Sequence, residues 1–335
     1  MEISIFLFIF IFLFIFIFFY IINKNFKIYL KEQFSNFDSI RFKYSDSVGF
    51  YSNLFFVINN YIYCYKNNLY FDIDDSKWLF KTNKGWEDYF LNINLNIDKK
   101  KDNLKITKHM KILENYPIYE YKNILPQFYK YNNNTIEEIN KIKKEFNLEN
   151  NDYDSIFIRR GDKLTSESKY INTREYFDFL ININPKCKKI FIQTDDYNCF
   201  LDLKNIVKNK NIEIFTLCKS NSFGVIVNNS EKNKFINSSK NQNNKNFTYM
   251  SKINNKILNT KSVSDMNPSE IYNHTITMII GIDLLINSNI CVLDYQSNVS
   301  RFIKLFHPNI NNVYDIITKS NVIDLNKTIC PAYSF

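Results

Sequence analysis

A dense charged block lies at positions 157–167 of the 335-residue chain, with the sequence Phe-Ile-Arg-Arg-Gly-Asp-Lys-Leu-Thr-Ser-Glu. Arg159 and Arg160 carry guanidinium groups, which bind phosphate oxygens through paired hydrogen bonds, and Lys163 adds a compact positive charge. Glu167 follows closely, and its carboxylate could take a proton from a hydroxyl group. The block therefore predicts phosphate binding beside a general base, although a solvated charged loop has the same composition.

Two further polar groups follow predicted strands. They are Gln-Thr-Asp-Asp at 193–196 and Tyr-Gln-Ser-Asn-Val-Ser-Arg at 295–301, where a helix is predicted to begin. The N-terminus of a helix exposes N–H groups, so a helix start with hydroxyl side chains is a natural phosphate site. This signal is weak alone because many helix caps look similar. Ligands of open parallel sheets bind beyond the carboxyl ends of the strands, which is where we expect these groups.

Strands and helices alternate along the chain after residue 150, which predicts a parallel sheet. The predicted strands are 156–158, 189–193, 212–215 and 290–293, and the predicted helices are 174–180, 196–208, 268–286 and 299–306. Residues 228–259 are rich in Asn and are predicted to be loop or disordered.

The first half of the chain is predicted to contain the same kinds of element. We expect a helix at 53–65, a buried strand at 69–72, and a helix at 136–146 that begins at Thr135 with a capping box to Glu138. The whole pattern predicts an α/β protein with two domains and a cleft between them.

Residues 3–22 contain no charged side chain and consist mainly of Ile and Phe. As a helix, this run would span about 30 Å, the hydrocarbon thickness of a bilayer. It has neither a preceding basic segment nor a small-residue cleavage site, so we expect an uncleaved transmembrane anchor rather than a signal peptide. Lys24, Lys27 and Lys31 follow the run, and these charges by themselves favour a cytosolic location for the rest of the chain.

Composition narrows the functional classes. Hydrophobic residues make up 45% of the chain, which excludes a disordered protein. The net charge of +9 suits an anionic ligand or an anionic membrane surface, but a simple lysine excess also explains it, and no nucleic-acid partner is expected. The six cysteines and three histidines lack metal-ligand spacing, and no dinucleotide-binding or serine-nucleophile motif is present. Asp72, Asp74 and Asp75 offer an alternative, a metal-binding Asp-x-Asp site.

Several blocks, taken in order, resemble the α-1,6-fucosyltransferase family and its relatives, the nodulation fucosyltransferases and the protein O-fucosyltransferases. The residues that carry the resemblance are Gly85, Trp86, Glu87 and Phe90 with Trp78 ahead of them; Arg159, Arg160, Asp162, Lys163 and Glu167; Thr194, Asp195 and Asp196; Ser297, Asn298, Val299 and Arg301; and Phe306, His307 and Pro308. Each block is weak alone, but their order is specific. The match covers residues 49–315.

The resemblance implies a GT-B-like fold, in which two Rossmann-type domains face a cleft. It also implies an inverting, metal-independent transfer of fucose from GDP-fucose to a hydroxyl of a glycan or glycoprotein. The implied organisation is a transmembrane anchor, a stem, an acceptor-side α/β domain and a nucleotide-sugar-binding domain with an Asn-rich insertion near 228–260; their ranges are 1–25, 26–43, 44–150 and 151–335. The family resemblance favours the lumen of the secretory pathway, in the Golgi or the endoplasmic reticulum, over the cytosolic face.

By resemblance, Arg159 and Ser297 hold the donor diphosphate, and Lys163 supports the charge of the leaving group. By the same resemblance, Glu167 is the catalytic base, or part of a relay, that activates the acceptor hydroxyl. Further donor-binding residues are implied: Arg160, Asp162, Tyr176, Thr194, Asp195, Asp196, Asp283 and Asn298.

The chain departs from the family at two positions near the nucleobase. Phe157 stands where the family has His, and the family's base-contacting Asp falls on Gly281, with Asp283 two residues further on. The alternatives are a protein O-fucosyltransferase-like enzyme, a transferase that uses another nucleotide sugar, and a non-catalytic membrane-anchored protein that binds glycans or nucleotides.

Overall fold

A computed structural model of the chain describes residues 39–44, 49–92, 104–108, 118–165 and 168–321. The predicted anchor at 3–22 and the predicted base Glu167 lie outside the described residues. Within the described ranges, no helix is both long enough and apolar enough to cross a membrane.

The first half of the chain forms a three-stranded parallel sheet. Its strands are β1 (Ser39–Lys43), β2 (Tyr70–Asp74) and β3 (Leu104–Lys108), with the order β2-β1-β3. Helix α1 (Phe50–Lys66) connects β1 to β2, and its buried residues pack on both strands. The predictions of a helix at 53–65 and a strand at 69–72 are confirmed, with boundaries shifted by one to three residues.

Two helices lead from the first sheet to the second: α2 (Ile118–Phe128) and α3 (Asn133–Glu145). The predicted capping box at Thr135 is wrong, because Asn132 is the N-cap of α3 and its side chain accepts a hydrogen bond from the Thr135 N–H at 2.9 Å. Asn caps helices at least as well as Thr does. The Thr135 hydroxyl instead donates to the Tyr89 carbonyl at 2.8 Å and joins α3 to the loop that follows β2.

The second half of the chain forms a five-stranded sheet in which all neighbouring strands are parallel. Its strands are β4 (Asp154–Ile158), β5 (Lys189–Thr194), β6 (Glu213–Phe215), β7 (Cys291–Leu293) and β8 (Val313–Asp315), with the order β6-β5-β4-β7-β8. The chain therefore starts at the central strand, moves to one edge, and returns to build the other edge. This order creates a topological switch point between β4 and β7, where such sheets bind their ligands.

The helices of the second half are α4 (Thr173–Ile183), α5 (Tyr197–Val207), α6 (Asn229–Lys240), α7 (Phe247–Leu258), α8 (Pro268–Ile286) and α9 (Asn298–Phe306). The predicted alternation of strands and helices after residue 150 is confirmed. Helix α8 has the predicted bounds, with Pro268 in its first turn, where the missing N–H costs nothing.

The prediction that residues 228–259 are loop or disordered is wrong. They form the helix pair α6 and α7, whose buried face includes Phe235, Met250, Ile253 and Ile257. The three positions on α7 are spaced by three and four residues, so they lie on one face of the helix. Asn side chains also stabilise the helices, since Asn228 caps α6 by accepting a hydrogen bond from the Glu231 N–H at 3.0 Å.

The two halves contact each other directly. Tyr51 of α1 and Phe302 of α9 lie with ring centroids 4.8 Å apart, and both side chains are buried. The Asn298 side-chain amide donates to the Ser52 hydroxyl at 2.9 Å, which joins the first turns of the same two helices. The first turn of α1 is thereby held against the first turn of α9.

Two glycines bring the loops after β4 and β6 into backbone contact. Gly161 has a φ of +60° and Gly224 has a φ of +118°, a region that residues with a side chain rarely adopt. A Cβ atom on Gly224 would lie 2.7 Å from the Cα atom of Gly161. Neither glycine can therefore accept a side chain without separating the two loops.

We predict that Gly224→Ala destabilises the folded chain by at least about 2 kcal/mol, because it combines a strained φ with a backbone clash. Gly49→Ala is the matched control, since a Cβ there meets no atom within 4 Å and φ is −65°. Loss of the glycine cap should cost only about 0.5 kcal/mol. Urea unfolding of the full-length chain in detergent measures both, and equal losses would contradict the prediction.

Candidate functional site

A cavity of about 210 Å³ lies where the carboxyl ends of β4, β5, β6 and β7 meet the first half of the chain. Its walls come from the loops after these strands, from α8, and from the first turns of α1 and α9. The cavity thus occupies the switch point of the five-stranded sheet, which is the expected ligand site of this topology.

The loop after β4 brings two cations and one carboxylate to the cavity: Arg159, Lys163 and Asp162. The Arg159 guanidinium donates to Asp162 Oδ1 at 2.7 Å and forms an ion pair with the Asp195 carboxylate. The Lys163 ammonium lies 3.5 Å from Asp162 Oδ2. These carboxylates hold the two cations in position and also neutralise part of their positive charge.

Two helix N-termini face the same cavity. The first turn of α9, capped by Ser297, and the first turn of α1, capped by Gly49, both contribute to its wall. The Ser297 hydroxyl accepts from the Ser300 N–H at 3.1 Å. The first N–H groups of a helix have no acceptor within it, and its N-terminus carries partial positive charge. Together with the two cations, this arrangement can hold a multiply charged anion such as a diphosphate.

Residues 193–196, at the carboxyl end of β5, are divided between the cavity wall and the buried framework. Thr194 and Asp195 line the cavity, as does Gln193, whose side-chain oxygen is buried without a hydrogen-bond partner among the described residues. Asp196 is fully buried, caps α5 by accepting from the Asn198 N–H at 3.0 Å, and is not in the cavity wall. Asp196 is thus placed in the framework beside the cavity, and its role in donor binding stays a prediction.

Arg160 points away from the cavity, although Arg159 beside it lines the wall. Its guanidinium is 1% exposed, donates to the Ile171 carbonyl at 2.5 Å, and lies 4.5 Å from the ring centroid of Tyr170 and 5.6 Å from that of Tyr249. Arg160 therefore supports the loop from outside the cavity wall, and its role in donor binding stays a prediction from the resemblance.

Two other predicted donor-binding residues also lie outside the cavity wall. Tyr176 is buried in the hydrophobic cluster between the sheet and α4, where burial raises the pKa of its phenol. Asp283 forms an ion pair with Lys143 of α3 at 3.0 Å, on the side of α8 that contacts the first half of the chain. The position nearer the cavity is Gly281, where a Cβ would lie 2.3 Å from the Gln193 side-chain oxygen.

His274 lines the cavity, and the sequence analysis assigned it no role. It lies on α8 with Met278 and Ile282, which line the same wall at intervals of four residues. Burial, with the positive charges of Arg159 and Lys219, lowers the pKa of His274 to about 4. The imidazole is therefore neutral at pH 7 and offers one N–H donor and one acceptor nitrogen. The four-residue spacing along a predicted helix was the signal that could have identified it.

Glu231 also lines the cavity and comes from α6, in the segment predicted to be disordered. Its carboxylate accepts from the Val227 N–H at 3.1 Å. Burial and the negative charge of Asp162 raise its pKa, while Lys163 and Arg159 oppose the shift. No sequence pattern pointed to this residue, because its position in the site depends on the folding of the helix pair.

The carboxylates of the acidic segment 72–75, at the end of β2, form ion pairs. Each carboxylate has a cationic partner, and the pairs are Arg41–Asp72 at 2.6 Å, Lys43–Asp74 at 3.4 Å and Lys81–Asp75 at 3.0 Å. Across the described ranges, no group of three or more His, Cys, Asp or Glu residues is arranged to hold a metal ion. The alternative Asp-x-Asp metal site therefore has no support from the geometry of this segment.

The chain matches no protein-family model, and no curated protein matches it. Among solved structures, it is similar to a mutant of Arabidopsis thaliana FUT1 in complex with GDP. The two share 7% sequence identity and a TM-score of 0.44, over 85% of this chain and 72% of that chain. A likeness at this level carries no argument about the activity of this chain.

We predict that Arg160→Ala destabilises the folded chain by about 3 kcal/mol, because it leaves a cavity and removes the donor to a buried carbonyl. Arg174→Ala is the control, since Arg174 is exposed on α4. Thermal unfolding of the two full-length variants checks this prediction. It would be wrong if both variants melted at the wild-type temperature.

We predict that His274 contributes to loss of stability as the pH falls from about 6.5 to about 4. In this window the unfolded chain binds a proton at His274 and the folded chain does not, so protonation favours unfolding. We therefore compare the free energy of unfolding of the wild type with that of His274→Gln. The difference, wild type minus variant, should decrease as the pH falls from about 6.5 to about 4 and should stay constant above about pH 7. A difference that does not vary with pH would contradict this assignment.

Proposed function

We propose that the chain is a glycosyltransferase that uses a nucleotide-sugar donor. The observation that carries the proposal is the convergence of Arg159, Lys163 and two helix N-termini on one cavity at the switch point of the sheet. The proposed reaction is an inverting, metal-independent transfer of fucose from GDP-fucose to a hydroxyl of a glycan or glycoprotein, on a GT-B-like scaffold. The ordered blocks that resemble the α-1,6-fucosyltransferases support this reaction.

The donor diphosphate would bind at the cations. Arg159 can offer a guanidinium edge, Lys163 a point charge, and the first turn of α9 behind Ser297 a set of N–H groups. When the bond to the sugar breaks, negative charge develops on the departing diphosphate. Cations that are already held in place stabilise this charge without a metal ion, because little reorganisation accompanies the reaction.

Two residues of the cavity wall, on neighbouring strands, could contact the nucleobase of the donor. Phe157 of β4 and Gln193 of β5 pair in register on neighbouring strands, and both line the cavity. An aromatic ring beside an amide provides an apolar surface and a hydrogen-bonding edge for a flat base. This arrangement is compatible with guanine and with other bases, so a panel of donors is the proper test.

The first half of the chain would present the acceptor. It contributes the first turn of α1 and Phe80 to the cavity wall. We further propose that residues 3–22 anchor the enzyme in a membrane of the secretory pathway with the catalytic part in the lumen. The support is the uncharged twenty-residue run and the family resemblance.

We predict that Arg159→Ala weakens the binding of GDP roughly 50-fold, since it removes a charge-assisted, paired hydrogen bond. Release of GDP from GDP-fucose should fall at least as much. Isothermal calorimetry and a GDP-release assay on the full-length chain in detergent measure both, with Arg174→Ala as the exposed control.

The donor panel adds UDP-, ADP- and other GDP-sugars to the same assay. If the wild type neither binds nor turns over any of them, the transferase proposal fails. Tight binding of a nucleotide without turnover would instead support the non-catalytic alternative, and turnover of another donor would replace fucose.

A further inference from the structure

Glu231 is the carboxylate that α6 places in the cavity wall that also contains Arg159 and Lys163. Helix α6 packs against the turn formed by residues 161–165, so the carboxylate belongs to the same assembly as the cations. The neighbouring charges on Glu231 are those of Asp162, Lys163 and Arg159. A carboxylate next to a diphosphate site has no role in binding the anion itself, because the two repel each other.

Helix capping alone does not explain this position. Glu175 of α4 and Glu270 of α8 stand at the same place in their first turns, and each accepts a hydrogen bond from the N–H of its Asn cap. Glu175 is exposed, and the Glu270 side chain is 44% exposed. Glu231 instead reaches one residue further back, to the Val227 N–H, and faces the cavity.

We propose that Glu231 takes the proton from the acceptor hydroxyl, a role that rests on the transferase function proposed above. The acceptor oxygen forms a bond to the anomeric carbon as its proton passes to a carboxylate oxygen of Glu231. The bond between the anomeric carbon and the diphosphate oxygen breaks, and its electron pair leaves with the nucleoside diphosphate. Arg159 and Lys163 meet the resulting charge.

Two effects make this carboxylate a better base than an exposed one. Burial and Asp162 raise the pKa of Glu231, and a more basic carboxylate accepts a proton more readily at neutral pH. A bound diphosphate adds negative charge nearby and neutralises the two cations that oppose the shift, which raises the pKa further. The base therefore becomes stronger when the donor is present.

The test compares Glu231→Gln with the wild type as full-length chains in detergent. Calorimetry measures GDP binding, and hydrolysis of GDP-fucose, with water as the acceptor, measures turnover from pH 5 to 8. Gln retains an acceptor for the Val227 N–H, so the melting temperature should stay close to wild type. GDP affinity should not fall and should rise somewhat, because the substitution removes a negative charge that repels the diphosphate. Turnover should fall by about 100-fold or more, and the rise of activity with pH should disappear.

Glu175→Gln is the matched control, because it alters the same first-turn position outside the cavity, and it should behave as wild type. Glu231→Asp keeps the charge but withdraws it by one methylene group. It should retain the rise with pH at a lower turnover, and it provides a second readout if the Gln variant does not fold.

Wild-type turnover in Glu231→Gln or Glu231→Asp would overturn the role of Glu231 and leave the transferase function standing. Loss of the pH-dependent rise in Glu167→Gln, with its retention in Glu231→Gln, would assign the proton to Glu167 instead. A wild type that turns over no nucleotide sugar would remove the transferase function, and the role of Glu231 with it.

Discussion

Asp195 joins the three loops that form the floor of the cavity. Its carboxylate pairs with Arg159 and accepts from the Arg160 N–H at 2.7 Å and the Val225 N–H at 3.2 Å. Its backbone carbonyl accepts from the Gly224 N–H at 2.7 Å and the Ser222 hydroxyl at 2.9 Å. A buried carboxylate is tolerated only when such donors surround it, so the loops after β4 and β6 are both tied to the end of β5.

This bonding determines how an anion can enter. Arg159 is shared between two carboxylates, Asp162 and Asp195, so the proposed diphosphate would have to compete with them for the guanidinium. In return, the side chain has already lost most of its rotational freedom, and binding costs less entropy. The N-termini of α1 and α9 add positive potential that comes from backbone dipoles, not from a side chain that is shared with a carboxylate as Arg159 is.

Periodicity and strand–helix alternation predicted the parallel architecture, and the end of β4 predicted where the cations would lie. They did not predict the two helices within residues 228–259, because the Asn-rich composition obscured the spacing of the apolar residues of α7. The placement of Arg160 outside the cavity wall was not expected either, and it has another origin. Successive side chains of an extended segment point to opposite sides, so Arg159 and Arg160 could not both face one cavity. The alternation was present in the sequence, but the resemblance treated the two arginines alike.

The position of Glu231 could not be read from the sequence because it depends on contacts between distant segments. Leu164 of the cationic loop and Ile226 share one buried cluster with Phe235 and Met250 of the helix pair. Tyr249 of α7 also contacts the Arg160 guanidinium, and α6 supplies the carboxylate. The helix pair thus packs against the cationic loop and also carries Glu231. The proposed anion site and the proposed base therefore depend on the packing of the same helix pair.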